Sequence, residues 1–505
     1  MNYILELSFG AAIILVLLIR AKIKKYNYFK ERGVPTLSIY AGLTNTWKLF
    51  TKKISFPDMV MDLYNAHPNA KYIGIFDQGS PVFIIRDPEV VKLVTVKNFT
   101  VFLDHKGFVK EEVDPLLGGG LFNMKGGKWK EMRAVISPTF TTSKMKCMFE
   151  LMSKCGQDFV EFLEKEKQPL VLEMKDVFTR YANDVIATTA FGVTVNSIHD
   201  KENEFYMMGV EATSFTPLRS FKTILFQWYP KIMKFLKFKI VSDKVSNFFR
   251  DIVITTINTR KVQNIHRPDL LNILMHARMK DPDRELTHDE IICQAFLFFF
   301  AGFETVASVM SFVAYHLAIY PEVQEKLRKE VDGVCGRENG QLIYEELGEM
   351  KYMEMVLNET MRLIPPSVLT DRVAVEDFHL PANDEKSPPI HIEKGTAIWI
   401  PIAGFQKDPK YFAEPEKFDP ERFDSDHKNN ILPFTFIPFG VGPRSCPANR
   451  FAFMEIKLIL INILKRFVIK PCEKTSIPMK FAKGTITVVA EKGIWLSFKP
   501  RKNIE

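Results

Sequence analysis

Residues 439–452 read FGVGPRSCPANRFA, and no other stretch restricts the chain as much. Gly440 and Gly442 permit backbone angles that other residues resist, so the loop can take a special shape. Such a loop can pass close to a flat ligand. It carries one thiol, Cys446, and opens into NRFAFMEIKLILINILKRF, a strong helix candidate. A sulfur near a helix N-terminus meets the positive end of the dipole and free backbone N–H groups, which favour a thiolate. The alternative is a tight turn around a buried structural thiol.

The rest of the cysteines do not compete for this role. Cys147, Cys155, Cys293, Cys335 and Cys472 form neither a CxxC pair nor a dense framework with Cys446. That argues against a disulfide scaffold and a structural zinc site, and for a reducing compartment. A chain of 505 residues can bury a large core. With 46% hydrophobic and 25% charged residues the composition is ordinary, so the 43 phenylalanines are read first as core. The net charge of +8 comes without zinc-finger spacing, an RNP-like run or a basic block. Nucleic acid is therefore not expected as a partner; a membrane surface or an acidic protein fits better.

Residues 3–19, YILELSFGAAIILVLLI, are interrupted only by Glu6. This length is near the lower limit for a transmembrane helix. Arg20, Lys22, Lys24, Lys25 and Lys30 follow, which keeps the remainder of the chain on the cytosolic side. A cleaved signal peptide would carry its positive charge before the apolar run. The expected organisation is an anchor over 1–20, a basic linker over 21–50 and a single domain over 51–505. The sequons at Asn98 and Asn358 would then go unused. FLFFFAG at 296–302 is too short to span alone and is expected to be a buried helix.

Residues 71–86 alternate as two strands around a turn. Asp87 and Pro88 read as the cap and first residue of a helix. From about 129 to 335 the pattern is mostly helical, and Thr287 with Glu290 has capping-box spacing. IHIEKGTAIWI and GTITVVAEKGIWLSF look like strands. The fold class is mainly α with small β-sheets, an α+β arrangement.

A thiolate in an apolar, glycine-lined loop is what a haem iron takes as an axial ligand. Phe439, Gly440, Gly442, Arg444 and Cys446 together closely resemble the haem-binding motif of the cytochrome P-450 family. Ala448 departs from the glycine usual there, and Pro447 removes one N–H that the sulfur would otherwise meet. Other motifs follow in the family's order. AGFET, Ala301–Thr305, places polar Glu304 and Thr305 in an apolar helix. Unpaired burial of such groups costs about 1–3 kcal/mol each. A bend with Thr305 bonded to a carbonyl would explain it locally; the resemblance implies a proton relay made of Thr305 and Glu304. NETMRL sets Glu359 and Arg362 on one helix face and is similar to the family's ExxR motif. Arg422 in DPERF would complete a structural Glu–Arg–Arg cluster. KWKEMR is similar to the WxxxR motif, which implies that Trp129 and Arg133 bind haem propionates, along with Arg444 and Arg372. Ala301 and Phe439 would line the haem.

The resemblance spans nearly the whole chain and is nearest the insect microsomal, toxin-metabolising branch. It implies a monooxygenase with haem b held by Cys446, taking electrons from NADPH through a membrane-bound reductase at the endoplasmic reticulum. Lys128, Lys130, Lys144 and Lys146 would offer an acidic partner a docking face, or else are solvated surface. The apolar and basic stretch 214–240 would rest on the bilayer over the substrate entrance, or form two ordinary amphipathic helices. Either way the substrate is a hydrophobic small molecule: a plant toxin, an insecticide, or an endogenous lipid or hormone. The hinge after the anchor offers little more than Pro35, where the family often has several prolines. A haem-thiolate isomerase or dehydratase and a haem sensor would share Cys446 without needing Glu304 and Thr305. A non-enzymatic membrane scaffold would need every motif to be coincidence.

Overall fold

The computed structural model describes residues 27–501, except 38–43, 46, 50, 78–79, 108, 215–224, 226–232, 234, 236–238, 278–284, 335–341, 385–386 and 486. The expected anchor, part of the basic linker and most of the 214–240 stretch lie outside the described residues.

The alternation in 71–86 folds as the strand pair β1 (Tyr72–Asp77) and β2 (Ser80–Ile85), antiparallel as expected. Asp87 caps the following helical turn by accepting from Glu89 N. The longer helices are α1 (Phe56–Asn65), α2 (Gly126–Ile136), α3 (Thr142–Lys165), α4 (Met174–Ile186), α5 (Glu204–Thr213), α6 (Asp243–Gln263), α7 (His288–Ile319), α8 (Pro321–Val334), α9 (Lys351–Leu363) and α10 (Asn449–Arg466). The remaining strands are β3 (Leu170–Glu173), β4 (Thr370–Val373), β5 (Phe378–Leu380), β6 (Ile390–Ile392), β7 (Ala397–Ile400), β8 (Phe467–Pro471) and β9 (Trp495–Pro500). One sheet runs β1-β2-β7-β4, with β2 and β7 parallel; β3-β9-β8 and β5-β6 form two smaller ones. The mainly helical expectation holds.

α7 organises the helical core. Thr287 and Glu290 close the expected capping box at its start. α4 packs along it, and α5, α6, α8, α9 and α10 also pack against it. By length and composition α7 could cross a bilayer, but 56% of its most apolar window is buried inside the fold. Phe296 and Phe299 of FLFFFAG are core residues, as expected of a buried helix, and so is Phe303 just after it. A second core forms around the four-stranded sheet, where Phe29, Tyr72, Phe83 and Ile398 are buried.

One expectation needs correction. Of the 484–498 stretch read as strand, only β9 pairs in a sheet. Residues before it turn back on their own predecessor: Ala482 N donates to Val489 O, and Glu491 N to Lys480 O. The β-branched run TITVV has strand propensity, but its neighbour is a short local loop.

Candidate functional site

The cysteine loop takes its shape from two left-handed glycines, Gly440 (φ +70°) and Gly442 (φ +73°). At Gly442 a side chain is also excluded sterically, since a Cβ would lie 2.1 Å from Thr95 O. The loop closes through Gly440 N to Ile437 O, Ser445 N to Gly442 O, and Cys446 N to Phe439 O, the last at 2.8 Å. Ala448 is the N-cap of α10, with φ −99°. That angle is open to any residue, so alanine in place of glycine introduces no backbone strain there. Burial pushes the Cys446 thiol up; the Ala448 N–H and the Arg133 guanidinium oppose it. Ala448 therefore supplies the sulfur with a backbone donor where Pro447 has none. The expected thiolate bias of the helix terminus is outweighed by desolvation in the protein alone, and a coordinated metal reverses that balance.

Four other predicted residues gather beside this sulfur. Trp129 and Arg133 lie on α2; the Arg444 guanidinium stacks 4.0 Å over the Trp129 ring, and Phe99 packs edge-on against it. Arg372, on β4, donates to Val441 O within the loop at 3.0 Å. Arg444 is largely committed to protein. Its Nε donates to Leu103 O, and its Nη2 to Met124 O and Asp104 Oδ1, while Nη1 makes only a 3.5 Å contact with Leu121 O. Arg372 Nε is buried without a partner. Among the described residues, Trp129 Nε1 and the Arg133 guanidinium also find no acceptor. The buried Arg372 Nε is the costly case, and the Trp129 and Arg133 donors beside the loop are available to an anion. Burial lowers Arg444 and Arg372 to about 10, which leaves both charged at neutral pH.

Sequence reasoning missed His105. It is buried, bonded through Nδ1 to Asp371 Oδ1 at 2.9 Å, and stacked on Phe122 at 4.6 Å. Asp371 also accepts from Lys106 N, which fixes the strand beside Arg372. The signal was present only as two separated fragments, DHK and TDR.

Glu359, Arg362 and Arg422 do form a cluster. Arg362 binds Glu359 through Nε at 2.7 Å and Nη2 at 2.8 Å, and both side chains are fully buried. Burial raises the Glu359 carboxyl and Arg362 opposes it. Arg422 is looser, 3.5 Å from Glu359 Oε1. The cluster reaches the cysteine loop: Arg362 donates to Gln406 O, and Gln406 Oε1 accepts from Ile437 N, where the loop begins.

On α7, Ala301 and Thr305 are exposed although residues around them are buried. Spaced by four, they share one face. The helix is continuous here. Ser308 and Ser311 bond back to Glu304 O and Ala307 O, but among the described residues the Thr305 hydroxyl makes no such bond. A local bend therefore does not explain Thr305. Glu304 faces Lys175, 3.7 Å away.

The Cytochrome P450 family profile matches residues 49–498. Cytochrome P450 9e2 of Blattella germanica is 42% identical over 95% of each chain. Probable cytochrome P450 9f2 of Drosophila melanogaster is 38% identical over 94% of this chain and 95% of its own. Cytochrome P450 6k1 of Blattella germanica is 34% identical over 94% and 93%. The cofactor of this family is haem b, and a porphyrin carrying two carboxylates matches the donors left unpaired around the loop. A glycine-shaped cysteine loop, unmatched donors beside it and full-length similarity to these proteins agree: the chain belongs to the cytochrome P450 family and is a haem-dependent monooxygenase.

Proposed function

We propose that this monooxygenase is held in the endoplasmic reticulum membrane by residues 1–20. A basic linker over 21–50 then leads to one catalytic domain over 51–505 on the cytosolic face. It takes electrons from NADPH through a membrane-bound reductase and hydroxylates or epoxidises hydrophobic molecules. For a hydroxylation, RH, O2, NADPH and a proton give ROH, water and NADP+. Lys128, Lys130 and Lys146 are exposed, which suits docking of an acidic redox partner, although Lys146 also pairs with Glu345. The substrates are foreign compounds such as plant toxins or insecticides, or endogenous lipids or hormones that fit the same apolar requirement.

When bound, haem b supplies the oxygen-activating redox chemistry. The protein's part follows from its own residues. Cys446 Sγ is the iron ligand, and the Ala448 N–H beside it moderates the sulfur's charge. Trp129, Arg133 and Arg372 hold the propionates through their free donors, and Arg444 contributes its weakly engaged Nη1. Phe439 fixes the sulfur through the Cys446 N–H bond. Ala301 leaves room for a flat ring where a longer side chain would intrude. The Thr305 hydroxyl is free to bond at the reacting side, and Glu304 passes it protons. Glu359, Arg362 and Arg422 hold the loop's entry and take no part in chemistry.

The observation that carries this reading is the closed Cys446 loop next to donors without partners. Its test is the reduced, carbon monoxide difference spectrum of the full chain. A strongly red-shifted Soret band, lost in Cys446→Ser, is expected. A well-folded chain giving a band typical of a neutral ligand would refute the thiolate assignment. Turnover of a panel of fluorogenic alkoxycoumarins must then require both NADPH and reductase; dealkylation without either would refute the reductase-driven monooxygenase reading.

A further inference from the structure

Two histidines face each other on the outer side of the antiparallel pair β5–β6. His379 lies directly opposite His391 in the register, between the pairs Phe378–Ile392 and Leu380–Ile390. Side chains alternate between the faces of a strand. Leu380, Ile390 and Ile392 are buried in the second core and Phe378 packs against it. Both imidazoles therefore turn away from that core: His379 is exposed and the His391 side chain is 42% exposed.

The two ring centroids are 5.1 Å apart, with the planes tilted by 48°. An ion held about 2.0–2.1 Å from one nitrogen of each ring, at a tetrahedral angle, sets the ring centres about 5.2 Å apart. The observed spacing fits a shared ion. A carboxylate stands behind one ring. Asp377 Oδ2 lies 3.3 Å from His391 Nε2, and Asp377 Oδ1 accepts from Lys394 N. This leaves His391 Nδ1 for the ion. It also supplies the outer carboxylate that orients a ligating imidazole and raises its basicity. A second histidine pair, His266 and His276, lacks this support: its centroids are 6.0 Å apart, and His276 Nδ1 is bonded to Asn272 O.

We propose that His379 and His391 form a surface site for a divalent late transition-metal ion, with Asp377 as the outer partner of His391. Among the described residues no group of three His, Cys, Asp or Glu is placed around one ion, so water fills the remaining positions. Imidazole suits zinc, copper and nickel, and Zn2+ is the one without redox chemistry. The ion's role is structural. Each strand is three residues long, and a two-stranded pair is marginal by itself. Phe378 against Phe102 and Glu393 on Arg32 tie the pair to its surroundings; the ion clips one strand to the other. The site lies outside the haem chemistry and does not depend on the monooxygenase reading.

The test uses the haem-loaded full chain without a polyhistidine tag, stripped of loosely held metal. Zn2+ is titrated in competition with a chromogenic chelator. One equivalent per chain should bind ahead of any other. His379→Asn and His391→Asn should each weaken that equivalent at least tenfold, and Asp377→Asn about tenfold, as removal of an outer partner does. His276→Asn should leave it unchanged. Affinity should rise from Mn2+ through Ni2+ to Cu2+. Zn2+ should also raise the urea midpoint of the wild type and not that of His379→Asn.

Loss of affinity in only one of the two histidine variants would overturn the proposal, since a single coordinating side chain would explain it. So would a wild-type affinity no greater than that of the His379→Asn/His391→Asn double variant, or an equal loss in His276→Asn. An unchanged Asp377→Asn would overturn the outer role of that carboxylate. Both rings face outward, so the variants should keep the carbon monoxide band. If one does not fold, protection of His379 and His391 from diethyl pyrocarbonate by Zn2+ in the wild type, read by mass spectrometry, decides. Rings that Zn2+ leaves unprotected defeat the site.

Discussion

Gly442→Ala isolates the steric requirement of the cysteine loop from its conformational one. Both loop glycines have positive φ, +70° at 440 and +73° at 442. An alanine at either position takes on a left-handed penalty of about 1–2 kcal/mol. They differ in surroundings. At Gly440 nothing lies nearer a Cβ than Ser445 Cα at 3.8 Å, whereas at Gly442 the Cβ would sit 2.1 Å from Thr95 O. Relief there needs about 1 Å of movement against a backbone carbonyl, in a turn also fixed by the Thr95 hydroxyl on Val91 O. Overpacking of that kind adds about 1–3 kcal/mol. Gly442→Ala should therefore cost about 2–5 kcal/mol against about 1–2 kcal/mol for Gly440→Ala. The assay is haem per chain and the denaturant midpoint at which the red-shifted carbon monoxide band disappears. Gly442→Ala should lose most of the band, and Gly440→Ala should keep most of it with a lower midpoint. Equal behaviour of the two variants would refute the claim that the loop is seated on Thr95.

Other substitutions probe the supports of the site. Glu359→Gln leaves the fully buried Arg362 without its carboxylate and should cost about 3–5 kcal/mol; haem-loaded yield is the measure. Arg422→Ala, partly exposed and 3.5 Å from Glu359, should cost about 1 kcal/mol or less. A similar loss in both would contradict the division of labour in that cluster. Arg133→Ala should speed transfer of haem to apomyoglobin, because its guanidinium has no other described acceptor; an unchanged rate would remove it from the propionate set. His316 is buried, stacked on Phe418, and lowered by burial to about 3 from 6.5. Between those values the unfolded chain binds a proton that the native state refuses, so stability falls as pH falls, by at most about 1.4 kcal/mol per pH unit. Urea midpoints at pH 5 and 7 should draw closer in His316→Phe; an unaltered difference would show that His316 does not set it.

Features with fixed local spacing were legible in the sequence. The cysteine loop, the α9 pair Glu359–Arg362 and the Thr287–Glu290 cap each place their groups within a few residues, so spacing alone carries the geometry. Long-range contacts were not. His105 meets Asp371 across 266 positions, and Lys175 meets Glu304 across 129; no periodicity joins them. Arg444 shows the limit within a recognised motif: its position was readable, but the carbonyls of residues 103, 121 and 124 that occupy it come from elsewhere. The stretch 484–494 failed for a related reason, since strand propensity says nothing about whether a partner strand is adjacent. Conversely, the sequence raised the right question about Ala448, and the negative φ of that residue answers it.

The many phenylalanines acquire a purpose once α7 is viewed in cross-section. Ala301 and Thr305 occupy one face, while Glu304 and Ser308 occupy the next, held by Lys175. The helix must therefore keep its rotation as well as its place. On its remaining side Phe299 and Phe303 pack against α5 and α6: Phe299 lies 4.7 Å from Phe249 and 5.5 Å from Phe205. Gly209 of α5 makes this approach possible, since a Cβ there would lie 2.5 Å from Phe299 and 2.8 Å from Phe303. Gly209 has a helical neighbourhood and no positive φ, so alanine there is favoured by helix propensity. Any harm done by Gly209→Ala must come from pushing the rings and turning α7. The expected result is a normal carbon monoxide band with more NADPH diverted to hydrogen peroxide, although no site residue has changed. A variant whose coupling stays normal would mean that Lys175, not the aromatic packing, is enough to set the helix's rotation.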